Sequence, residues 1–421
     1  MCLATPLVLR AGQTFRGAES TLALVGACLL PKMVMPCANT IHSWILRLGH
    51  DQLHRPLPQG EDWAWFIDLT LTIGPRKVLA IVGCRISEIP FAGRSLAPTD
   101  LTLLHLAVLD KSNSETVLAE LQLTQQRVGR PRVILSDGGT DLVKGVNAFR
   151  QQSRDSGSVA HVLDIAHVGA NALKKRFTAN PRWGEFLQKL TQTNQVIRQK
   201  EVAYLLSPRL RDKGRFMSVG VVLRFARRML YALDHQLLTP AGVEAYGWLS
   251  EYRVDVEGWL FDQQLVQETI EEIRENGWHE TTWRRLEKLW SKVPAKSPSC
   301  SLVASLREFM IEMSWQAKSD ETLPGSTEVL ESCFGHWKGL VEEGPSVGVS
   351  GLVLALGAML KPNSPEEDTQ AWDTTPLKRV WNWVGKHVGA TVQKMRKAFN
   401  ALTAPALTAP TQPPPALAAP T

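Results

Sequence analysis

The stretch Trp63-Ala-Trp-Phe-Ile-Asp68-Leu-Thr-Leu-Thr72 is an apolar run of strand length with one carboxylate in its middle. After the turn Gly74-Pro75-Arg76-Lys77 comes a second β-rich run, Val78-Leu-Ala-Ile-Val-Gly83. Two such runs around a Gly-Pro turn predict a β-hairpin. A carboxylate among Trp, Phe, Ile and Leu is costly unless a positive group pairs with it. On its own, this stretch predicts that Asp68 tips toward solvent or meets an arginine.

The bulk composition is that of a soluble globular protein of two or three domains, with 421 residues, 44% of them apolar and 21% charged. The formal net charge of +6 permits a polyanionic partner. Six scattered cysteines predict neither a zinc site nor a disulfide framework, which fits a reducing compartment. No export signal is predicted. The run 344–360 is uncharged, but it is short and interrupted by Gly, Ser and Pro, so it predicts a buried helix rather than a membrane span. We therefore expect a cytoplasmic protein, associated with the nucleoid if it is bacterial.

Residues 1–54 form a small helical region in this interpretation. An apolar helix is predicted over 18–28, and Asn39 or Thr40 is expected to cap a second helix that carries Ile41, Trp44 and Leu48 at helical spacing. Two short helices joined by a turn fit a DNA-binding helix-turn-helix. They fit equally well a helical hairpin that packs on the next part of the chain.

Residues 61–180 combine strand and helix patterns. Further strands are predicted at 101–109, at 132–136 and at 159–164, and helices begin near Ser114 and at Asp141. Three strands followed by alternating helices and strands predict an α/β unit with a mixed sheet flanked by helices. The strand at 132–136 ends in a second carboxylate, Asp137.

The remaining segments differ in composition. Residues 181–322 predict a large all-helical insertion with a tryptophan-rich core, and 323–361 contain one more helix from Glu328 to Lys338. Residues 362–400 predict an acidic linker followed by a basic helical region, and 401–421 a disordered, proline-rich tail. A basic stretch in the insertion fits either a solvated face or a DNA contact; it contains Arg209, Arg211, Lys213, Arg215, Arg224, Arg227 and Arg228.

Three carboxylates lie in or next to regular elements: Asp68 in the first strand, Asp137 after the fourth, and Glu331 in the late helix. Gathered together, such oxygen ligands suit Mg²⁺ or Mn²⁺ rather than zinc. Two such ions can activate a water or a 3′-hydroxyl and stabilise the leaving oxygen in phosphoryl transfer. The spacing alone is a weak signal, because any chain of this length contains many acidic triples.

The order of these elements resembles the RNase H-like core of DDE transposases. The segment Glu331-Ser-Cys-Phe-Gly-His-Trp-Lys338 is similar to their third-acid helix. Leu163-Asp164-Ile-Ala-His167 resembles the (C/D)xxH element of transposases with a large helical insertion, hAT elements among them. The resemblance covers roughly residues 60 to 340, and an all-helical block before the third acid is also typical of such enzymes.

The resemblance implies that Asp68, Asp137 and Glu331 bind two Mg²⁺ or Mn²⁺ ions. It also implies that Asp164 and His167 orient the active site or the DNA backbone, and that Lys338 lies near a phosphate. The alternatives are a helix cap for Asp164, a core imidazole for His167 and a merely exposed Lys338.

The implied function is that of a DNA transposase, which cuts and joins phosphodiesters at the ends of a mobile element as a homo-oligomer on DNA. A protein derived from a transposase that only binds DNA is the alternative. A nucleotide hydrolase that uses Asp68 as a Walker-B carboxylate is a further enzyme alternative, but the sequence has no GxxxxGK[ST] loop. Glu328 and Glu331 are both candidates for the third acid. Glu331 is favoured, since Glu328 falls in the first helical turn, where a charge against the helix N-terminus suffices to explain it.

Overall fold

The computed structural model describes residues 3–29, 34–73, 76–91, 94–152, 158–210, 215–317, 321–342, 349–360, 364–389 and 392–408. At its centre is a five-stranded sheet in the order β3-β2-β1-β4-β5. The strands are β1 (Trp63–Ile73), β2 (Arg76–Arg85), β3 (Thr102–Leu109), β4 (Pro131–Ser136) and β5 (Ala160–Leu163).

The sheet is mixed. Strand β1 runs antiparallel to β2 and parallel to β4, while β2 pairs antiparallel with β3, and β4 pairs parallel with β5. The hairpin predicted for the first two runs is confirmed, although its turn residues Gly74 and Pro75 lie outside the described residues. This strand order, with three antiparallel strands followed by two strands parallel to β1, confirms the predicted α/β fold with an RNase H-like mixed sheet.

The two faces of the sheet bury different sets of side chains, because successive residues of a strand point to opposite faces. Trp65 and Ile67 pack on one face with α4 (Ser114–Val128) and α5 (Thr140–Gln151). Ala64 and Phe66 belong to the other face and to the large core that includes the helical segments. Asp68 continues the alternation of Ala64 and Phe66, so its side chain is directed to the same face as theirs, opposite to α4 and α5.

The predicted all-helical insertion consists of helices and short 3₁₀ turns. Trp183 and Trp259 pack edge to face at 4.9 Å and form an aromatic core with their neighbours, as predicted. Trp315, predicted to be in this core, is instead 83% exposed because it lies just past the end of the last insertion helix. The helices are α6 (Ile165–Thr178), α7 (Pro181–Ile197), α8 (Val219–Asp234), α9 (Pro240–Tyr246), α10 (Arg253–Asn276), α11 (Glu280–Trp290) and α12 (Cys300–Ser314).

The chain before β1 forms α1 (Ala4–Leu9), α2 (Phe15–Leu29) and α3 (Ala38–His54). Nearly all of α3 is buried or partly buried. Its backbone passes so close to that of Leu354 that position 49 has to be a glycine. A Cβ added at Gly49 would lie 1.7 Å from the Leu354 carbonyl oxygen. A recognition helix needs a free face for the DNA groove. Helix α3 therefore matches the packed hairpin and not the helix-turn-helix.

The chain after the insertion is also helical. It forms α13 (Glu328–Glu342), α14 (Val349–Leu352), α15 (Ala355–Met359), α16 (Pro365–Thr374), α17 (Leu377–His387) and α18 (Val392–Thr408). The acidic linker prediction is wrong over α16, where Ser364 caps the helix N-terminus. Helix α18 continues past residue 401, so the predicted disordered tail begins too early, and 409–421 lie outside the described residues. None of the helices in the described ranges has the length and apolar character needed to cross a bilayer.

Candidate active site at the carboxyl edge of the sheet

The sheet brings three aspartates to one edge. Ile67 of β1 pairs with Ser136 of β4, and Ser136 pairs with Leu163 of β5. The next residue in each strand direction is an aspartate: Asp68, Asp137 and Asp164. Because neighbouring strands lie about 4.8 Å apart, these three residues start from adjacent backbone positions. The sequence predicted each position separately, and the strand register explains why they meet.

Asp68 lies just before an irregularity in the pairing of β1 with β2, a feature that often re-aims a side chain beside a functional site. The Leu69 backbone N–H donates to Asp68 Oδ1 at 2.6 Å. Burial and, after it, the negative charge of Asp137 raise the pKa of the Asp68 carboxyl to about 7. Within the described residues, neither Asp68 nor Asp137 forms an ion pair with a lysine or arginine, so the predicted arginine partner is absent there.

Asp137 begins the loop that leads from β4 into α5. The Gly139 N–H donates to Asp137 Oδ1 at 2.8 Å, and Gly138 has a φ of +80°. At this positive φ a side chain would strain the backbone, which explains a glycine at position 138. The turn lets the chain leave the sheet at once and keeps the Asp137 carboxylate, which is partly exposed, at the strand end.

Asp164 is almost completely buried and holds three elements together. Its Oδ2 accepts the His167 backbone N–H at 3.0 Å and caps α6, and its Oδ1 accepts the Thr327 N–H at 2.7 Å, just before α13. The Ile165 N–H donates to the Gly325 carbonyl oxygen at 3.0 Å at the same junction. Burial alone would raise the pKa of Asp164, but the hydrogen bonds from His167 and Thr327 lower it below its ordinary value.

His167 links Asp164 to the late helix. Its Nδ1 lies 2.7 Å from Asp164 Oδ2, and its Nε2 lies 3.9 Å from Glu331 Oε1. The hydrogen bond to Asp164 raises the pKa of His167 to about 9 against the effect of burial, with help from the charges of Glu331 and Asp137. The imidazole is therefore a cation at neutral pH, and it is partly exposed rather than enclosed in the core.

Helix α13 carries the third carboxylate. Leu330 and Phe334 are buried, which fixes the face that α13 packs inward, and Glu331 stays partly exposed beside His167. Burial raises the pKa of Glu331, and the positive charges of His167 and Lys338 oppose that rise. Lys338 itself is exposed.

Glu328 has a different partner. Its carboxylate forms an ion pair with Arg274 of α10, and half of its side chain is exposed to solvent. The sequence alone did not indicate Arg274 or Thr327 as neighbours of the site, since both contacts join segments that are far apart along the chain. A threonine just before an amphipathic helix is a local signal for a helix start, but it does not reveal the buried aspartate that the Thr327 N–H meets.

The three predicted metal ligands are near one another without forming a finished metal site. Charge interactions join Asp68 to both Asp137 and Glu331. In the part of the chain that the structure describes, however, no group of three Asp, Glu, His or Cys side chains is close enough to hold a metal ion. The donor chemistry fits a hard divalent cation, because clustered carboxylates carry the charge that such an ion neutralises. The carboxylates of Asp68, Asp137 and Glu331 have to move closer together before one ion can bind to all three.

The predicted DNA-binding arginines lie elsewhere. Arg224, Arg227 and Arg228 are exposed on α8, whose opposite face contributes Val222 and Leu223 to the core. Arg209 is exposed as well, while Arg211 and Lys213 lie outside the described residues.

Comparison with models of protein families finds no match, and comparison with curated proteins finds none either. Among solved structures, the chain is similar to the Drosophila P element transposase strand transfer complex. The TM-score is 0.38 at 10% sequence identity, and the similarity covers 86% of this chain and 96% of that chain. A similarity at this level carries no conclusion about function, which has to come from the site itself.

Proposed function

We propose that this chain is a DNA transposase that hydrolyses and transfers phosphodiesters at the ends of a mobile element. The observation that carries the proposal is the adjacent placement of Asp68 and Asp137 at one sheet edge, near enough to Glu331 of α13 for its charge to act on Asp68, with a pKa of about 7 for Asp68 caused by burial and by the like charge of Asp137. Burying like charges together destabilises a fold, and functional sites are where proteins retain such arrangements.

In this proposal Asp68, Asp137 and Glu331 hold Mg²⁺ or Mn²⁺, two ions in all. When bound, such ions activate a water or a 3′-hydroxyl and neutralise charge on the leaving oxygen. Water cleaves the phosphodiester at the element end and frees a 3′-hydroxyl. That hydroxyl then attacks a target phosphodiester and displaces its 3′ oxygen, with no covalent bond between protein and DNA.

The residues around the acids have positioning roles in this proposal. Asp164 holds the imidazolium of His167, whose Nε2 faces Glu331 and keeps that carboxylate oriented. Lys338, seven residues after Glu331 and so on the same side of α13, meets a phosphate of the bound DNA. The exposed Arg224, Arg227 and Arg228 supply phosphate contacts that are independent of sequence, and the protein acts as a homo-oligomer on its DNA.

The direct test is cleavage of a plasmid that carries the DNA flanking the gene for this chain. With Mg²⁺ or Mn²⁺ the purified protein is expected to nick or join this DNA, and EDTA is expected to stop it. Asp68→Asn and Asp137→Asn are each expected to lower the rate at least about a hundredfold, as removal of a group that stabilises the transition state does, while DNA binding persists.

Asp141→Asn is the matched control, since Asp141 lies four residues after Asp137 and is hydrogen-bonded by Ser112 outside the three-acid group. It is expected to cleave at close to the normal rate. Full cleavage by both the Asp68 and Asp137 variants would reject the site assignment.

A DNA-binding protein derived from a transposase, without catalysis, is the second candidate. It is favoured by the fact that the carboxylates of the described residues do not yet form a three-ligand cluster. Thermal unfolding with increasing Mn²⁺ separates the two candidates, because a ligand that binds only the folded state raises its melting temperature. The transposase is expected to show a rise that Asp68→Asn reduces. If the protein only binds DNA, Mn²⁺ is expected to raise its melting temperature no more than it raises that of the Asp68→Asn variant.

A further inference from the structure

A groove of about 710 Å³ runs beside the candidate active site, along α6 and between α7 and the short turn Arg215–Met217. It begins at His167. The α6 residues that line it recur at helical spacing on one face, so the groove follows that helix for roughly 16 Å. These residues are His167, Ala170, Asn171, Lys174 and Thr178.

The lining of this groove differs in charge from the cleft on the other side of α6. That cleft contains the carboxylates of Asp164, Glu328 and Glu331, whereas none of the described residues that line the groove carries a carboxylate. The groove has amide and hydroxyl groups, the exposed Lys174 and the His167 ring instead. Groups of this kind donate hydrogen bonds to phosphate oxygens.

The floor of the groove is apolar. Leu187 and Phe216 are partly buried there, and Met217 is 41% exposed, a large apolar side chain left open to solvent. Ala170, Phe216 and Met217 also line the acidic cleft, so the two spaces adjoin at these residues. Nucleic-acid bases can stack on apolar side chains such as Phe216 and Met217. The sugar-phosphate backbone of the same strand can then lie against the polar groups of α6.

The geometry points to a binding groove for one unpaired DNA strand, whose end at His167 lies beside Glu331 of the candidate active site. This inference rests on the proposed function and specifies how its substrate lies. An unpaired strand is required because the bases of a duplex already stack on one another, so their faces are not available to Phe216 and Met217. The phosphates of the strand would meet Lys174 and Asn171.

Binding can be measured without catalysis. The probe is a labelled oligonucleotide of about 16 nucleotides, the upper end of the usual site sizes, studied by fluorescence anisotropy in EDTA as a single strand and as its duplex. The wild-type protein is expected to bind the single strand more tightly. Lys174→Glu is expected to weaken that binding roughly tenfold or more and to flatten its salt dependence.

Lys175→Glu is the matched control, since Lys175 is exposed on the same turn of α6 and does not line the groove. A second pair tests the shape. A Cβ at Gly184 meets nothing within 4 Å, so Gly184→Leu can place an apolar side chain in the groove that Gly184 lines. Gly258→Leu makes the same change at a glycine of α10 whose added Cβ also meets nothing within 4 Å. We expect Gly184→Leu to reduce single-strand binding and Gly258→Leu to leave it unchanged.

Equal losses in the Lys174 and Lys175 variants, or unchanged binding in Gly184→Leu, would overturn the groove while leaving the proposed function intact. A preference of the wild-type protein for the duplex would overturn it as well. Failure to bind any DNA would overturn both the groove and the proposed function.

Discussion

Asp68 and Asp164 lie on either side of Asp137 at the carboxyl edge of one sheet, and the protein compensates the charge of only one of them. Asp164 accepts hydrogen bonds from Thr327 and His167, which lower its pKa although it is buried. Asp68 accepts one from its own neighbour Leu69 and faces Asp137, and its pKa rises to about 7. The comparison separates a structural carboxylate, which has its partners within the protein, from one that the proposed function assigns to a metal ion and that has few partners of its own.

The largest expected effect comes from Asp164→Ala. It leaves the Thr327 N–H and the His167 ring without their buried acceptor and removes the cap of α6. Breaking a buried charged pair from one side costs about 3–5 kcal/mol of unfolding free energy. Urea unfolding should show that loss for Asp164→Ala and little or none for Asp68→Asn at pH 7. A loss of the same size in both variants would remove the contrast between the two residues.

The second effect is a dependence of stability on pH. Because the folded-state pKa of Asp68 is about 7 instead of 3.8, the folded protein holds an extra proton between about pH 4 and pH 7. The unfolding free energy therefore falls as the pH rises through this window. Asp68→Asn is expected to match the wild-type protein near pH 4 and to be the more stable of the two at pH 8, measured by urea unfolding in EDTA.

Asp164 should behave in the opposite sense. Its lowered pKa gives stability that is present above the ordinary carboxyl pKa and is lost as the pH falls through its folded-state value. The pKa of about 9 for His167 gives stability that is complete below its ordinary value of 6.5 and is lost as the pH rises through 9. An Asp68→Asn protein with no stability advantage at pH 8 would contradict the assigned pKa.

The smallest effect separates the two glutamates of α13. Glu328→Gln removes a partly exposed ion pair with Arg274, and such pairs contribute about 0–1 kcal/mol. We expect a small loss of unfolding free energy with normal cleavage. Glu331→Gln should abolish metal-dependent strand transfer and leave folding nearly unchanged. An inactive Glu328 variant beside an active Glu331 variant would assign the third acid to Glu328.

Much of the sheet could be predicted because its strands carry their own local signal. The strand predicted at 101–109 is Thr102–Leu109, and the helix predicted to begin at Asp141 is Thr140–Gln151. Helix α16 was missed, although Ser364 and Glu367 form a capping box and Pro365 stands at the first helical position. Its acidic, proline-containing composition is typical of a linker, but Ser364, Pro365 and Glu367 are favourable signals for the start of a helix.

The site could be predicted only in part. Local patterns predicted the carboxylates at their strand and helix positions, and Asp164 as a cap was one of the alternatives. The approach of His167 to Glu331 depends on tertiary packing and has no local signal. The same holds for α3, whose amphipathic pattern fitted a DNA-reading helix and a packed hairpin alike until its burial was known.

The contact between Asp164 and Thr327 also bears on the order of folding. It joins residues 163 positions apart, so the helical block leaves and rejoins the sheet at one point. Closing a loop costs only about 0.6 kcal/mol more for each doubling of its length, so a block of this size is a small added expense at equilibrium. Kinetically it matters more, since contacts between distant segments form slowly. The sheet with Asp68 and Asp137 can assemble early. Glu331 reaches these two residues only after the helical block has folded and the contact between Asp164 and Thr327 has formed.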